Sequence, residues 1–312
     1  MFNVVMTSPR LAAEAQAILE RAGCTVHFMD PYPPSAAVAE LAGRVQANAI
    51  LSRQGVVTAA AMDASPRLRV IARHGVGVDD VDLAAAAARG ILVTRAPGSN
   101  TRAVAEHTMA LILALAKDVR PLGAVVAAGG WRDASATGRD IAGLRLGLVG
   151  FGAIGQEVAR LASAFGMAVS AYDPRQPGAA APSLAALLAR SDVLSLHCPL
   201  LPQTRRIVGA DALATLPEGA FVINTARGGL IDEAALAAAL DRRHIAGAGL
   251  DVFEDEPPAA DHPLRRHPRV IATPHVAGVT AGSLVTMGVM AAECIAAVLT
   301  GAEVPPERIV RP

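Results

Sequence analysis

The sequence predicts an α/β protein built from two Rossmann-like parallel-sheet domains. Short apolar runs alternate with helix-like segments along most of the chain, and repeated strand–helix–strand order is typical of parallel sheets. The alternation breaks once, near residue 100. A length of 312 residues exceeds that of one ordinary domain, and a hydrophobic content of 52% is sufficient for two cores.

The region before the break predicts the first sheet. Its apolar runs are short enough to be buried strands, and its Ala-, Leu- and Glu-rich stretches have helical character. The predicted strands are residues 2–6, 49–51, 70–72 and 91–93, and the predicted helices are 11–22, 35–47 and 83–89.

The break is a Pro-Gly-Ser-Asn turn at residues 97–100, followed by a predicted long helix over 101–126. The alternation then restarts and predicts the second sheet. Its predicted strands are 146–149, 168–171, 193–196, 221–224, 247–250 and 270–272, with helices at 153–165 and 184–188.

The last apolar segment, residues 281–300, has no strand of its own to cover. It contains Glu293 and several small polar residues, so we expect a buried helix rather than a membrane span. We expect this helix to return to the first sheet. The predicted domains are therefore residues 1–99 plus 281–312, which is discontinuous, and residues 100–280.

Composition excludes several classes of partner. Basic and acidic residues both number 28, and this zero net charge argues against nucleic acid or an anionic membrane surface. The three cysteines are far apart and form neither a disulfide framework nor a metal-ligand spacing. The amino terminus lacks a signal-peptide pattern. We expect a cytoplasmic protein without a metal site.

Residues 150–155 form a Gly-Phe-Gly-Ala-Ile-Gly segment that follows a predicted strand and opens a predicted helix. This is the context in which a GxGxxG pattern indicates dinucleotide binding. Gly150 permits the tight turn, Gly152 allows a diphosphate to approach the backbone, and Gly155 allows close helix–strand packing. The helix amino terminus then attracts the diphosphate.

An acidic residue, Asp173, follows the next predicted strand, 18 residues after Gly155. A carboxylate at this position would accept hydrogen bonds from the adenosine ribose and repel a 2′-phosphate. This favours NAD over NADP, while the nearby Arg175 keeps NADP open.

Three further motifs lie at the carboxyl ends of predicted strands, where open α/β sheets bind ligands. They are Asn-Thr-Ala-Arg-Gly-Gly at 224–229, Gly-Leu-Asp-Val-Phe-Glu-Asp-Glu-Pro at 249–257, and Thr-Pro-His-Val-Ala-Gly at 273–278. Together with the glycine turn and His-Cys-Pro-Leu at 197–200, they resemble the D-isomer-specific 2-hydroxyacid dehydrogenase family.

That family includes phosphoglycerate, glycerate and hydroxypyruvate/glyoxylate enzymes, and the resemblance covers nearly the full chain. It implies an oxidoreductase that transfers a hydride between NAD(H) and a small D-2-hydroxy or 2-keto acid. The leading substrates are 3-phosphoglycerate, hydroxypyruvate and glyoxylate. The resemblance also implies a flavodoxin-like substrate domain, an NAD-binding domain, a cleft between them, and a homodimer to which the helix from Thr101 contributes.

The same resemblance implies a catalytic set of Arg227, Glu256 and His275. Arg227 supplies a charged planar fork suited to a carboxylate, and His275 can give and take a proton near neutral pH. Glu256 would bond the imidazole and favour its charged form. Glu254 and Asp255 are possible confusions, but the family motif places the acid directly before Pro257.

The family pattern also implies a set of cofactor contacts. Ala153 and Ile154 match the diphosphate loop, and Asp251 is placed to bond the nicotinamide carboxamide. Two members, Pro199 and Thr204, have a loop-structural role as an equal alternative. The full set is Gly150, Gly152, Ala153, Ile154, Gly155, Asp173, His197, Pro199, Thr204, Thr225, Ala226, Arg227, Asp251, His275 and Gly278.

For the substrate, residues 73–79 resemble the loop by which the family holds a carboxylate through backbone amides, here those of Val76 and Gly77, with a plain αβ turn as the alternative. Arg53 and Arg73 either recognise a distal phosphate or carboxylate or are solvated charges. Asn100 resembles a residue at the interdomain cleft, with a helix N-cap as the alternative.

A function of another class remains open, namely an NAD(H)-sensing binding protein similar to the family's corepressor members, without significant turnover. The compact length favours the enzyme, and we expect no regulatory domain beyond Pro312. An L-2-hydroxyacid enzyme fits poorly, because the predicted Arg, Glu and His all follow the glycine turn.

Overall fold

The computed structural model describes residues 1–133, 136–176, 178–179 and 181–311. The chain divides into two compact units: unit 1 is Met1–Asn100 with Val279–Pro312, and unit 2 is Thr101–Gly278. Each unit contains its own parallel sheet, with five strands in unit 1 and six in unit 2. The predicted α/β class is confirmed.

Unit 1 is a parallel sheet covered by helices. Its elements are β1 (Phe2–Met6), α1 (Ala13–Arg21), β2 (Cys24–Phe28), α2 (Ser35–Val45), β3 (Ala49–Ser52), α3 (Ala59–Asp63), β4 (Val70–Arg73), α4 (Leu83–Ala88), β5 (Leu92–Thr94) and α11 (Ala281–Thr300). The strand order is β2-β1-β3-β4-β5. Because β2 is an edge strand with only Cys24 fully buried, it lacks a continuous apolar run, and the sequence did not predict it.

Helix α11 is long and apolar enough to cross a membrane by length and composition, a test that core helices of soluble proteins also pass. In unit 1 it packs against α1 and β4. Ala291, Ala292, Ile295 and Leu299 of α11 share a buried cluster with Leu19 of α1. Packing within unit 1 therefore accounts for the apolar character of this helix.

Unit 2 contains the second sheet. Its elements are α5 (Thr101–Ala116), α6 (Val119–Ala127), β6 (Arg145–Val149), α7 (Ala153–Ala164), β7 (Ala168–Tyr172), α8 (Leu184–Leu188), β8 (Val193–Leu196), α9 (Ala210–Thr215), β9 (Ala220–Asn224), α10 (Glu233–Asp241), β10 (Ile245–Leu250) and β11 (Val270–Ala272). The strand order is β11-β10-β9-β8-β6-β7. Both faces of this sheet are buried, one beneath α5 and α7 and the other beneath α9 and α10.

The predicted helix over 101–126 is wrong as one element, because it is broken between α5 and α6. Asp118 adopts the left-handed conformation, with φ of 50°. Pro121 explains the break, since its ring would clash with the carbonyl of Lys117 in a continuous helix and is tolerated only in a first helical turn. As the third residue of α6, Pro121 occupies such a turn.

Candidate active site

The polar motifs of unit 2 meet at one edge of its sheet. Strands β6, β8, β9, β10 and β11 are parallel, so their carboxyl ends lie on the same side. Each of these ends leads directly into one of the predicted motifs. The first residues after these strands are Gly150, His197, Thr225, Asp251 and Thr273.

The predicted pair of Glu256 and His275 is in direct contact. Nδ1 of His275 lies 2.6 Å from Oε2 of Glu256, while Oε1 of Glu256 accepts a bond of 3.1 Å from the Phe253 amide. The His275 side chain is 52% exposed, so its second ring nitrogen is available for a ligand. This arrangement orients the imidazole through one nitrogen, as acid–base chemistry requires.

The backbone at His275 is also unusual. Its φ is 54°, a left-handed conformation that few non-glycine residues adopt. Asp251 holds this turn at three points: its carbonyl accepts from the His275 amide at 2.8 Å, and its buried carboxylate accepts from the Val276 amide at 2.9 Å and the Ala277 amide at 2.7 Å. These bonds keep His275 in one orientation. The predicted contact of Asp251 with a carboxamide stays a prediction.

Arg227 belongs to the same group of residues. Burial acts to raise the pKa of Glu256, but its hydrogen bond with His275, the charge of His275, the Phe253 amide and the charge of Arg227 together lower that pKa below its ordinary value. Glu256 is therefore ionised near neutral pH. The Glu256 carboxylate thus bonds His275 directly and is also affected by the charge of Arg227.

Close backbone contact sets the position of Arg227. A Cβ atom on Gly228 would lie 1.9 Å from the carbonyl carbon of Phe253, so only glycine fits between the two loops. Asn224, 1% exposed, donates to the Arg227 carbonyl at 2.8 Å and accepts from the Ala226 amide at 3.0 Å. The motif at 224–229 contains Asn224 and Gly228, but only the structure shows the contacts that these two residues make.

The glycine turn has the shape that a diphosphate requires. Gly150 has φ of 96°, and a Cβ there would lie 2.6 Å from the His197 carbonyl carbon. A Cβ on Gly155 would lie 2.4 Å from the Gly150 oxygen, whereas the surroundings of Gly152 are open to 4 Å. Gly152 is the N-cap of α7, and no side chain caps this helix. Ala153 and Ile154, its first two residues, present first-turn amides that donate no hydrogen bond to another described residue.

Asp173 is fixed beside this turn. Its Oδ2 accepts from the Phe151 amide and its Oδ1 from the Arg175 amide, both at 2.9 Å. Each carboxylate oxygen retains a lone pair for a ribose hydroxyl. The negative charge therefore lies at the end of β7, as the sequence predicted, and the Arg175 backbone helps to orient it.

The remaining predicted cofactor residues include His197, Thr204, Thr225 and Gly278. Burial lowers the pKa of His197 to about 4, so its ring is neutral, and Nε2 lies 2.9 Å from Oγ of Ser195. The Thr204 hydroxyl donates to the Pro199 carbonyl and accepts from the Leu201 amide, both at 2.7 Å. These bonds favour the loop-structural alternative for Thr204. Thr225 is buried. Gly278 is the last residue of unit 2.

In unit 1, Arg73 is tied to its own loop. Its Nε donates to the Gly77 carbonyl at 2.9 Å and lies 3.1 Å from Oδ1 of Asp80. Its Nη1 donates to the carbonyls of Ser52 at 2.9 Å and Arg53 at 2.7 Å. This geometry makes Arg73 a clamp between two loops rather than a solvated charge.

Arg53 is more loosely held, by one side-chain bond of 3.2 Å to Ser8. The Val76 and Gly77 amides donate no hydrogen bond within the described part of unit 1, as expected of an anion-binding loop. Oδ1 of Asn100 is buried and has no partner among the described residues, so Asn100 does not act as an N-cap through this atom.

Comparison with known proteins defines the family. Residues 109–277 match the model described as D-isomer specific 2-hydroxyacid dehydrogenase, NAD binding domain. The chain belongs to the D-isomer-specific 2-hydroxyacid dehydrogenase family. The predicted resemblance and the NAD cofactor are thus confirmed, and the glycine turn with Asp173 forms part of the NAD-binding domain.

Several relatives show which members of the 2-hydroxyacid dehydrogenase family are similar. D-3-phosphoglycerate dehydrogenase of Mycobacterium tuberculosis is 42% identical over 273 residues, which cover 85% of this chain and 52% of the relative. Hydroxypyruvate reductase of Thermotoga maritima is 40% identical over 77% of this chain and 80% of its own length. The crystal structure of the TT0316 protein from Thermus thermophilus superimposes with a TM-score of 0.91 at 40% identity, covering 99% of this chain and 100% of that one.

The chain spans about half the length of the phosphoglycerate dehydrogenases that it matches, at 52% for the Mycobacterium relative. Among the residues described, no group of three or more His, Cys, Asp or Glu side chains could hold a metal ion.

Proposed function

We propose that this chain is an NAD-dependent dehydrogenase that interconverts a small D-2-hydroxy acid and its 2-keto acid. The observation that carries this proposal is the contact of 2.6 Å between His275 and the ionised Glu256. Arg227 is close enough for its charge to act on the same carboxylate. Acid, acid-orienting group and anion-binding group therefore lie together in the NAD-binding unit.

Each residue has a defined task in keto-acid reduction. Arg227 binds the substrate carboxylate and polarises the adjacent carbonyl through charge-assisted hydrogen bonds. His275, protonated and held through Nδ1, donates the proton on Nε2 to the carbonyl oxygen as negative charge develops there. Glu256 stays ionised and stabilises the imidazolium. In the oxidative direction, His275 accepts the hydroxyl proton instead.

The cofactor is held by residues that fit it on structural grounds. The open face of Gly152 and the uncapped start of α7 suit a diphosphate, and Asp173 suits the ribose hydroxyls. When bound, NADH supplies the hydride that reduces the keto carbon. In unit 1, the Val76 and Gly77 amides donate no hydrogen bond to another described residue of that unit and suit an anionic group such as a carboxylate.

For the substrate we propose 3-phosphoglycerate, hydroxypyruvate or glyoxylate. The names of the similar phosphoglycerate dehydrogenase and hydroxypyruvate reductase support the first two. The Arg73 guanidinium already donates to the carbonyls of Gly77 and Arg53. Arg53, which bonds Ser8 at 3.2 Å, is therefore the better candidate for binding a distal phosphate. An Arg53→Gln variant that loses activity on a phosphorylated acid but keeps it on glyoxylate would support this assignment.

We also propose a homodimer that uses α6. None of the residues of α6 is buried, although the helix is mostly apolar. Val119, Val126 and Trp131 are 57%, 56% and 79% exposed, an unusual apolar surface for a soluble monomer. A second copy of the chain would cover it. Sedimentation of wild type and Val126→Asp tests this, with a dimer expected for the first and a monomer for the second.

The test of function is NADH oxidation with a panel of 2-keto acids at matched pH. Turnover of at least one member, abolished in His275→Ala while NADH binding persists, is expected. If tight NADH binding were found with no turnover of any member, the NAD(H)-sensing alternative would replace the enzyme.

A further inference from the structure

Helix α5 contacts the loop that carries His275. Nε2 of His107, in the middle of α5, lies 3.0 Å from Oγ1 of Thr273. Oγ1 of Thr273 lies 2.5 Å from Oδ1 of Asp251. His107 is thus joined through Thr273 to the carboxylate that holds the turn following His275.

The direction of these bonds follows from chemistry. The Asp251 carboxylate accepts the Val276 and Ala277 amides, and the Thr273 hydroxyl donates its single proton to Oδ1 of the same carboxylate. The remaining lone pairs of Thr273 can only accept from His107, so Nε2 of His107 carries a hydrogen. His107 Nε2 also lies 3.7 Å from Oδ1 of Asp251. Both hydrogen bonds therefore donate in the same direction, from His107 to Thr273 and from Thr273 to Asp251.

The same stretch of α5 also contacts the Arg227 loop. Oγ1 of Thr108 donates to the Val104 carbonyl at 2.9 Å, so it can accept the hydroxyl proton of Thr225, 3.0 Å away. Thr225 lies two residues before Arg227. Adjacent residues of one helix thus reach the two loops that carry the acid and the anion-binding group.

We infer that His107 is a positioning residue for His275 and acts through Thr273 and Asp251. The Asp251 carboxylate is 1% exposed and accepts the Val276 and Ala277 amides. The bond from His107 directs the Thr273 hydroxyl proton towards Asp251. Without that bond the hydroxyl is free to rotate away, the Asp251 carboxylate loses a donor and its fixed orientation, and the left-handed turn at His275 loosens. This role in catalysis rests on the proposed function, but the effect on the turn does not.

The experiment compares His107→Ala, His107→Gln and Thr273→Val with wild type. Gln retains an N–H that can reach Thr273, and Val replaces the hydroxyl with a methyl group of similar size. His244→Gln is the matched control, since His244 is also half-buried in unit 2 but bonds the Leu213 carbonyl. Amide hydrogen exchange is measured by mass spectrometry on peptides covering residues 271–279, with peptides of β10 as the internal reference.

Exchange in the 271–279 peptide is expected to rise about tenfold or more in His107→Ala and Thr273→Val, with β10 unchanged. His107→Gln and His244→Gln should stay within about threefold of wild type. The inference is overturned if exchange in this peptide does not change, if it rises equally in β10, or if Gln is no better than Ala. Should His107→Ala fail to fold, His107→Leu, which fills most of the space of the imidazole without an N–H donor, takes its place in the comparison with His107→Gln.

Kinetics separate this inference from the proposed function. With a turned-over keto acid, kcat should fall about tenfold or more in His107→Ala while the Kd for NADH changes less than about threefold. If wild type reduces no keto acid, the proposed function fails, yet hydrogen exchange still supports or overturns the role of His107.

Discussion

Nδ1 of His275 lies 2.6 Å from Oε2 of Glu256, two residues that are 19 positions apart in sequence. The loop after β10 brings the carboxylate to the end of β11, where His275 begins a left-handed turn. The lowered pKa of Glu256, caused by His275, the Phe253 amide and Arg227 against the opposing effect of burial, keeps this carboxylate charged.

Replacing Glu256 with Gln should keep the shape of the pair but remove its charge. We expect kcat/KM for keto-acid reduction to fall by about 10- to 100-fold at neutral pH, because the protonated imidazole loses its stabilising partner. Glu254→Gln is the control, since Glu254 forms exposed ion pairs with Arg205 and Arg206. Equal kcat/KM values for wild type and Glu256→Gln would contradict the assignment of Glu256 as the functional partner of His275.

Gly228→Ala should disrupt the site through the backbone. A Cβ atom 1.9 Å from the Phe253 carbonyl carbon forces the Arg227 loop away from the Glu256 loop. We expect about 1–3 kcal/mol of lost stability and a loss of turnover of roughly 100-fold or more. Gly282→Ala, where the added atom meets nothing within 4 Å, should match or exceed wild type in stability. Denaturant unfolding and steady-state kinetics measure both effects, and normal activity in Gly228→Ala would refute the close-contact explanation.

Asp173→Ser should relax the choice of dinucleotide. The carboxylate repels a 2′-phosphate, so its removal should lower the preference for NADH over NADPH by about 100-fold in kcat/KM. Serine can still accept a bond from the Phe151 amide, which limits damage to the turn. In the double variant with Arg175→Ala, NADPH use should decline again. An unchanged cofactor ratio in Asp173→Ser would mean that Asp173 does not select the cofactor.

The pH dependence of stability should reveal His74. Burial, followed by the charges of Arg53 and Arg73, lowers the pKa of His74 to about 4, against the opposing effect of two backbone hydrogen bonds. Between its ordinary value and about 4 the unfolded chain binds a proton that the folded chain excludes, so stability is full above pH 6.5 and is lost as pH falls. From pH 7.5 to 5.0, His74→Gln should lose about 2 kcal/mol less unfolding free energy than wild type. Parallel losses in denaturant titrations would count against this.

Much of the fold could be predicted because its strands are continuous apolar runs. Buried parallel strands such as β3, β8 and β9 are apolar on both faces, so period and length identify them. The edge strand β2 carries no such signal. The break at Asp118 was not predicted, because the apolar residues on both sides of it were assigned to one helix over 101–126 without regard to Pro121.

The site could be predicted as far as its motifs reach. Arg227, Glu256 and His275 stand in recognisable local contexts, and the structure brings them together. His107 belongs to no motif and is one of several polar residues of α5, so only its bond to Thr273 gives it a role. The clamp formed by Arg73 and Asp80 was likewise not predictable, because it depends on carbonyl groups of a separate loop.

The packing of α1 against α11 has a consequence during synthesis on the ribosome. Residues 101–278 are continuous and can fold as soon as they emerge, whereas the apolar face of α1 must wait for residues 281–300. At translation rates of roughly 5–20 residues per second, synthesis from the end of α1 to the end of α11 takes about 14 to 56 seconds. The nascent amino-terminal segment therefore exposes Ala15 and Leu19 for that time, and it is the part of the chain that a chaperone would be expected to shield.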